Sequence, residues 1–423
     1  MVTSSRGRPR GLFPRLGCLV ALVVACGCSQ GGGGPSVVSS GGATSASGAT
    51  TSGGGAAGGA STKGGSGALR GLSANPFGLV ATTVTLQDAI DAYVDWKQRF
   101  LEVCPDGSVR VRYDDPAETV SEGIGYGMLL TAYHGDRGAF DGLWAFHQKN
   151  LNHNGLMNWK VRGCSVATTG QSSATDGELD CALALIVAAR SWGHLTATYG
   201  AEARALIAKI KALQTTSGCP GALSLPVLKP GDVFGGCALT NPSYFSPAYY
   251  RVFAAFTGDS AWLDLAAGSY VLLSVNADPG TGLVSDWCSG SGAPGDGGAG
   301  YAFGGRRYHY DAARTPWRVA LDFLWWGSAE AGSFTTRLTA WVNGVGVASI
   351  GDSYERDGTR LSANHNSTFV GPLACAAACV DQASLDAFAK DLKDIPSWAD
   401  AQYFQSSMRA LTLLTVAGGM RRA

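Results

Sequence analysis

Val120-Ser121-Glu122-Gly123-Ile124-Gly125-Tyr126-Gly127-Met128-Leu129-Leu130 begins like a helix but carries conflicting signals. Thr119 and Glu122 fit the T-x-x-E capping box, in which the carboxylate only satisfies a free helix-end amide. Glycines then follow at alternate positions, each costing about 1 kcal/mol relative to alanine inside a helix. A helix built for its own stability would not carry them, so they imply close approach by another part of the molecule. Two more acidic stretches sit at similar loop-to-helix junctions: Ala174-Thr175-Asp176-Gly177-Glu178-Leu179-Asp180 and Tyr308-His309-Tyr310-Asp311-Ala312-Ala313-Arg314. Each has a plain structural alternative. Thr175 and Glu178 repeat the capping box, and Asp311 can pair with Arg314 one turn on, a contact worth a few tenths of a kcal/mol.

Outward from these junctions, helical spacing recurs between Gly, Pro and Asp/Asn breakers. The pattern predicts helices near 86–101, 122–133, 139–151, 177–192, 201–214, 246–257, 260–275, 312–327, 333–345, 366–379, 384–392 and 403–417. That number makes six helical hairpins, and strand-like alternation is scarce. The connections around 104–119, 215–243 and 278–310 are long and rich in Gly, Pro and aromatics, as functional loops often are. A double ring of twelve helices would gather them at one end, around a groove. An irregular helical domain is the alternative, since periodicity alone cannot establish closure.

The chain has 423 residues, 45% hydrophobic and 15% charged, with 32 basic and 32 acidic groups. Six of the bases precede residue 73 and no acid does, leaving 26 bases against 32 acids in the remainder. A mildly acidic body with no Lys/Arg run lacks the footprint of a nucleic-acid binder. Arginines before residue 16 and the apolar run Leu16 to Ala25 form a secretory leader, too short to span a bilayer. The run ends Val23-Val24-Ala25-Cys26, resembling a bacterial lipobox, so Cys26 is expected to be lipidated; a plain signal peptide cut nearby is the alternative. Residues 26–72 are almost all Gly, Ser, Ala and Thr, which cannot bury enough apolar surface to offset ordering, and read as a flexible linker. The domains expected are a leader over 1–25, that linker over 26–72, and a folded domain of enzyme size over 73–423.

Eight cysteines follow the linker: Cys104, Cys164, Cys181, Cys219, Cys237, Cys288, Cys375 and Cys379. An even number in an exported chain permits disulfides, and proximity alone suggests Cys219 with Cys237 and Cys375 with Cys379. No CxxC pair occurs, and His153 and His365 lack helix-spaced partners, so no metal and no cofactor is expected. Trp144, Trp192, Trp262 and Trp341 fall inside helical patterns and are assigned to the core. Trp159, Tyr244, Trp287, Tyr310 and Tyr403 flank the acidic motifs instead, where aromatic faces suit flat sugar rings.

In order along the chain, the stretches VSEGIGYGMLL (120–130), NGLMNWK (154–160), ATDGELDCALAL (174–185), NPSYFSPAYYRVFAAFTGD (241–259), GLVSDWC (282–288), YDAARTPWR (310–318) and NHNSTFVGPLA (364–374) resemble glycoside hydrolase family 8. That resemblance implies an all-α (α/α)6 barrel and an inverting endoglucanase acting on β-1,4-glucan, with chitosanase or xylanase on the same barrel as alternatives. It implies Glu122 as general acid, Asp311 as general base, Asp176 beside the sugar at the cleavage point and Tyr244 holding the attacking water. Trp159, Trp287, Tyr310, Arg314 and Tyr403 are implied in substrate binding. The expected partner is a polysaccharide, with no nucleic acid, and the chain is expected to be exported and monomeric, with a lipid anchor at Cys26. Glu178 stands where the family usually has Asp; the reading favoured for it is the helix cap. Chemically, the acid must stay protonated near neutral pH, so burial or Asp176 should raise the pKa of Glu122, whereas Arg314 should make Asp311 easier to ionise. Surface lipoproteins that bind polysaccharide without cleaving it, and lyases on a similar helical toroid, are the readings from other classes. Two opposed carboxylates argue against the first, and the shortage of bases to meet uronates argues against the second.

Overall fold

The inner and outer faces of this molecule are set by a simple alternation. In the computed structural model, which describes residues 71–165, 168–193, 196–297, 305–396 and 402–423, twelve α-helices occur among the described residues. The even-numbered ones are α2 (Ser121–His134), α4 (Thr175–Ser191), α6 (Pro247–Thr257), α8 (Thr315–Trp326), α10 (Ser367–Ala377) and α12 (Tyr403–Val416). Most of their residues are buried, so they lie inside. Each packs on the next, and α12 returns to α2, which closes the ring.

The odd-numbered helices are α1 (Leu86–Phe100), α3 (Arg137–Lys149), α5 (Thr196–Leu213), α7 (Ala261–Asn276), α9 (Ala329–Val345) and α11 (Gln382–Asp394). They bury one face only, as in α1, where Ala89, Tyr93, Trp96 and Phe100 recur at helical spacing on the buried face. Each packs on inner helices beside it, giving a second layer. The result is the (α/α)6 barrel. Trp262 is buried in it, and Trp144, Trp192 and Trp341 pack against it with part of their surface exposed.

Most helix ends differ between the layers, the outer α7, which lacks a side-chain cap, and the inner α10, capped by Asn366, being exceptions. The outer helices α1, α3, α9 and α11 have side-chain caps from Thr85, Asp136, Ser328 and Asp381. The inner helices α2, α4, α6, α8 and α12 have none. Their first turns instead carry Glu122, Asp176 and Tyr403, while Tyr244 and Asp311 lie just before α6 and α8. Hydrogen bonds join Glu122, Asp176, Asp311 and Tyr403, so the N-terminal ends of α2, α4, α8 and α12 meet at one end of the ring.

Short strands, too brief to read from sequence, order the connections at that end. β1 (Leu101–Val103) pairs with β2 (Val109–Val111), and β3 (Glu118–Val120), β4 (Lys160–Arg162) and β5 (Thr168–Gly170) form an antiparallel sheet. Disulfides join Cys104 to Cys164 and Cys219 to Cys237. The second is the pair expected from proximity; the expected Cys375–Cys379 bond is absent, both thiols being free. The two lie four residues apart on or just beyond α10, where β-carbons sit about 5–6 Å apart, farther than the 3.5–4.5 Å a disulfide spans. Cys379 instead turns its thiol to the Cys375 carbonyl oxygen, 3.6 Å away. Residues 1–70, with the leader, most of the linker and Cys26, lie outside the described residues. No described helix is long and apolar enough to cross a membrane.

Candidate active site

Of the alternating glycines of α2, Gly123 faces Tyr403 and Val111, Gly127 faces Leu143, Val111 and Trp96, and Gly125 faces α4. A β-carbon on Gly125 would come within 2.8 Å of the Asp180 β-carbon and 2.9 Å of the Gly177 carbonyl oxygen. One on Gly177 would come within 2.7 Å of the Ser121 backbone. Close packing of these backbones brings Glu122 and Asp176 to one point.

At that point lies the guanidinium of Arg314, with only 1% of its side chain exposed. Its Nη1 donates to Glu122 Oε2 at 2.5 Å and Asp176 Oδ2 at 2.7 Å, and its Nη2 donates to Asp311 Oδ1 at 2.7 Å. Tyr126 Oη is 3.4 Å from Nη1, and the ion lies over the rings of Tyr244 and Phe404. The Asp311–Arg314 pair read from the sequence is therefore present, but as part of a buried cluster rather than a surface contact. One turn deeper, Arg318 repeats the arrangement with a fully buried fork onto both oxygens of Asp180 at 2.6 and 2.8 Å. Asp176/Asp180 and Arg314/Arg318 are each four residues apart, so α4 and α8 are joined by two stacked ionic layers.

Glu122 is not a cap. Its Oε1 accepts a hydrogen bond from Tyr403 Oη at 2.9 Å, and 18% of its side chain reaches the groove. Burial, with the negative charges of Asp176 and Asp311, pushes its pKa up to about 7 against the pull of Arg314 and Tyr403. Glu178 is not a cap either. It is fully buried, accepting the Met157 backbone N–H at 2.6 Å and facing His147 Nε2 at 2.9 Å. It fastens the segment that leads into Trp159.

Asp311 differs in part from expectation. Burial, helped by Asp176, raises its pKa too, although Arg314, Asn241 and Trp287 all favour its charged form. With 29% of its side chain exposed, it is also the most open of the three carboxyls to hydration. Its turn is braced by Asp286, whose Oδ1 accepts from the backbone N–H of His309 at 3.0 Å and of Ala312 at 2.8 Å. Asp286 is buried, and its own pKa is raised by burial and by Asp311.

Glu122, Asp176 and Asp311 open into a groove of about 520 Å³ that Trp159, Tyr244 and Trp287 help to line. Tyr403, expected in substrate binding, is buried and does not line the groove; it acts on the site through the hydrogen bond it donates to Glu122. Tyr310 instead packs on Phe369 and Phe404 and donates its hydroxyl to Asp352 at 2.8 Å. The sequence did not single out Tyr113, Val233 and Phe234, which also line the groove, nor Tyr126, Asn241 and Asp286. Tyr126, Asn241 and Asp286 had a signal, since all three fall within the quoted motifs.

Comparisons with known proteins agree with this fold. The family model described as glycosyl hydrolases family 8 matches residues 75–418. Over 308 residues the chain is 38% identical to endoglucanase 2 of Ruminiclostridium josui, covering 71% of this chain and 64% of the relative. It is 39% identical over 337 residues to endoglucanase A of Acetivibrio thermocellus, covering 77% and 68% of the two chains. The first of these matches thus spans less than two thirds of the relative's length. Among solved structures, the apo β-1,3-1,4-glucanase of Paenibacillus sp. X4 superposes with a TM-score of 0.73 at 24% identity, covering 82% of this chain and 97% of that one. The chain belongs to glycosyl hydrolase family 8.

Proposed function

We propose that this protein is an endo-acting hydrolase of β-1,4-glucan that inverts the anomeric configuration, with Glu122 as general acid and Asp311 as general base. One observation carries the reading: the two carboxyls face an aromatic-walled groove while bound to different nitrogens of a single buried guanidinium. Inversion needs two carboxyls about 6.5–9.5 Å apart, leaving room for a water on the far side of the sugar. Two hydrogen bonds and one planar ion between Glu122 and Asp311 are compatible with that spacing.

Glu122, protonated over much of its population near neutral pH, gives its proton to the departing glycosidic oxygen. Asp311, ionised, takes a proton from a water that attacks the anomeric carbon from the opposite face. The bond to the leaving oxygen breaks as the bond to the water oxygen forms, and each product end carries a hydroxyl. Asp176, which shares Arg314 Nη1 with Glu122, would sit beside the bond being broken, and Tyr244, which lines the groove with Asp311, would hold the attacking water. Trp159, the more exposed of the two, offers its ring to a sugar, and the nearly buried Trp287 lines the wall. The endoglucanase names of the relatives support β-glucan as the substrate class.

We also propose that residues 1–25 direct export, that Cys26 carries a lipid, and that 26–72 tether a monomeric catalytic domain. The two disulfides suit an oxidising compartment. Incubation with carboxymethyl cellulose, barley β-glucan, xylan and chitosan, followed by NMR of the new ends, tests substrate and stereochemistry together. Glu122→Gln and Asp311→Asn should each lower turnover by about 10²–10⁴-fold or more. Near-parental activity in either variant, or ends that keep the starting configuration, refutes the assignment.

A further inference from the structure

Among the described residues only Ser172, Leu223 and Ser224 combine a side chain with positive φ. Leu223 and Ser224 share an exposed turn. Ser172, at φ 77°, lines the groove. The left-handed region is unfavourable for a residue with a β-carbon, and glycine would occupy it freely. Such an outlier persists only where its surroundings over-determine it, and it points towards function.

The surroundings here are pinned on both sides. The Trp159 backbone N–H donates to the Ser172 carbonyl oxygen at 2.8 Å, and the Ser121 N–H donates to the Trp159 carbonyl oxygen at 2.9 Å. Ser173 next door is held by Asp232, which accepts its N–H at 2.9 Å, and by Gln214, which donates to its hydroxyl at 2.8 Å. Asp232 in turn accepts from Asn152 and Asn154. On the other side, a β-carbon at Gly170 would come within 2.4 Å of the Trp159 indole, so that ring packs closely against the glycine. Trp159 keeps 37% of its surface exposed. A half-buried serine on the groove wall is thus hydrogen-bonded, backbone to backbone, to the residue that carries the aromatic platform.

We propose that Ser172 is a substrate-binding residue, its hydroxyl exchanging a hydrogen bond with a hydroxyl of the sugar ring stacked on Trp159. The inference deepens the glucanase reading and rests on it. Glycine at this position would relieve the backbone, but it would remove the hydroxyl.

The test compares the parent protein with Ser172→Ala and Ser172→Gly. Both variants should raise KM for soluble β-glucan about three- to tenfold, the loss of one neutral hydrogen bond, with kcat falling by less than KM rises. In the Asp311→Asn background, calorimetry should find cellopentaose binding weakened by the same factor. Ser172→Gly should unfold at the same temperature as the parent or higher. Unchanged KM and cellopentaose affinity in Ser172→Ala, with the parent active, overturns this inference alone. A lower unfolding temperature in Ser172→Gly also overturns it, because the serine would then be held for the fold. A parent that releases no sugar from any glucan overturns the functional reading and this inference with it.

Discussion

Replacing Glu122 with glutamine should make the protein more stable as it makes it inactive, and only above acidic pH. The carboxyl titrates at about 7 in the folded chain against an ordinary value of 4.5. A group whose folded pKa is raised favours the folded state fully below its unfolded pKa, and that contribution is lost as pH rises through the folded value. The wild type should therefore lose about 3 kcal/mol between roughly pH 4.5 and 7, at 1.36 kcal/mol for each pH unit separating the two values. Glutamine resembles the protonated acid in shape and charge and does not titrate. At pH 8 the variant should thus exceed the wild type by about 3 kcal/mol, which in a chain of this size is on the order of 4 °C in Tm. At pH 4 the two should coincide. Urea or thermal unfolding of both proteins across pH 4–8.5 measures the difference. A gap that does not change with pH, or one that favours the wild type as pH rises, would falsify the claim that Glu122 is held protonated by burial and its acidic neighbours.

Two other predictions concern the same cluster. Asp176→Asn removes one of the charges that raise Glu122 and leaves Arg314 Nη1 more available to it, so the alkaline limb of kcat/KM should move to lower pH. Two charges about 5 Å apart, the reach of carboxylate oxygens sharing one nitrogen, interact by about 3 kcal/mol at an effective dielectric near 20, a displacement on the order of two pH units. A pH–rate profile on soluble β-glucan reads it, and a limb that stays put or moves upward speaks against the coupling. Asp180→Ala leaves the fully buried Arg318 without its carboxylate and should cost about 3–5 kcal/mol in urea unfolding. A loss under 1 kcal/mol would mean that the deeper ionic layer is not needed by the fold.

The helices were legible because burial imposes a period. α1 and α11 show it as an amphipathic stripe, and their expected limits fall within two residues of those observed. The start of α5 at Thr196 and of α9 at Ala329 was hidden, because small and polar residues in a first turn give little periodicity. Closure was not legible, since it depends on α12 reaching α2 across the whole chain. The capping-box motifs misled for a related reason: in inner helices the first-turn glutamates find partners on other elements, Tyr403 and Arg314 for Glu122, Met157 and His147 for Glu178. The Cys104–Cys164 bond joins residues 60 apart, and nothing local announces it. The site carboxyls were legible through their motifs, but Arg314 was read as a groove residue and its place beneath all three emerges only from the barrel.

Three acids gathered on one guanidinium leave the saccharide cleft electron-rich, with anionic capacity beyond what its resident cation neutralises. A pyranose ring that turns positive as its exocyclic bond stretches would enter surroundings already polarised in its favour. Ring mimics bearing a protonated nitrogen belong in this cleft more than uncharged ones do, and sugars decorated with uronic acids belong there least.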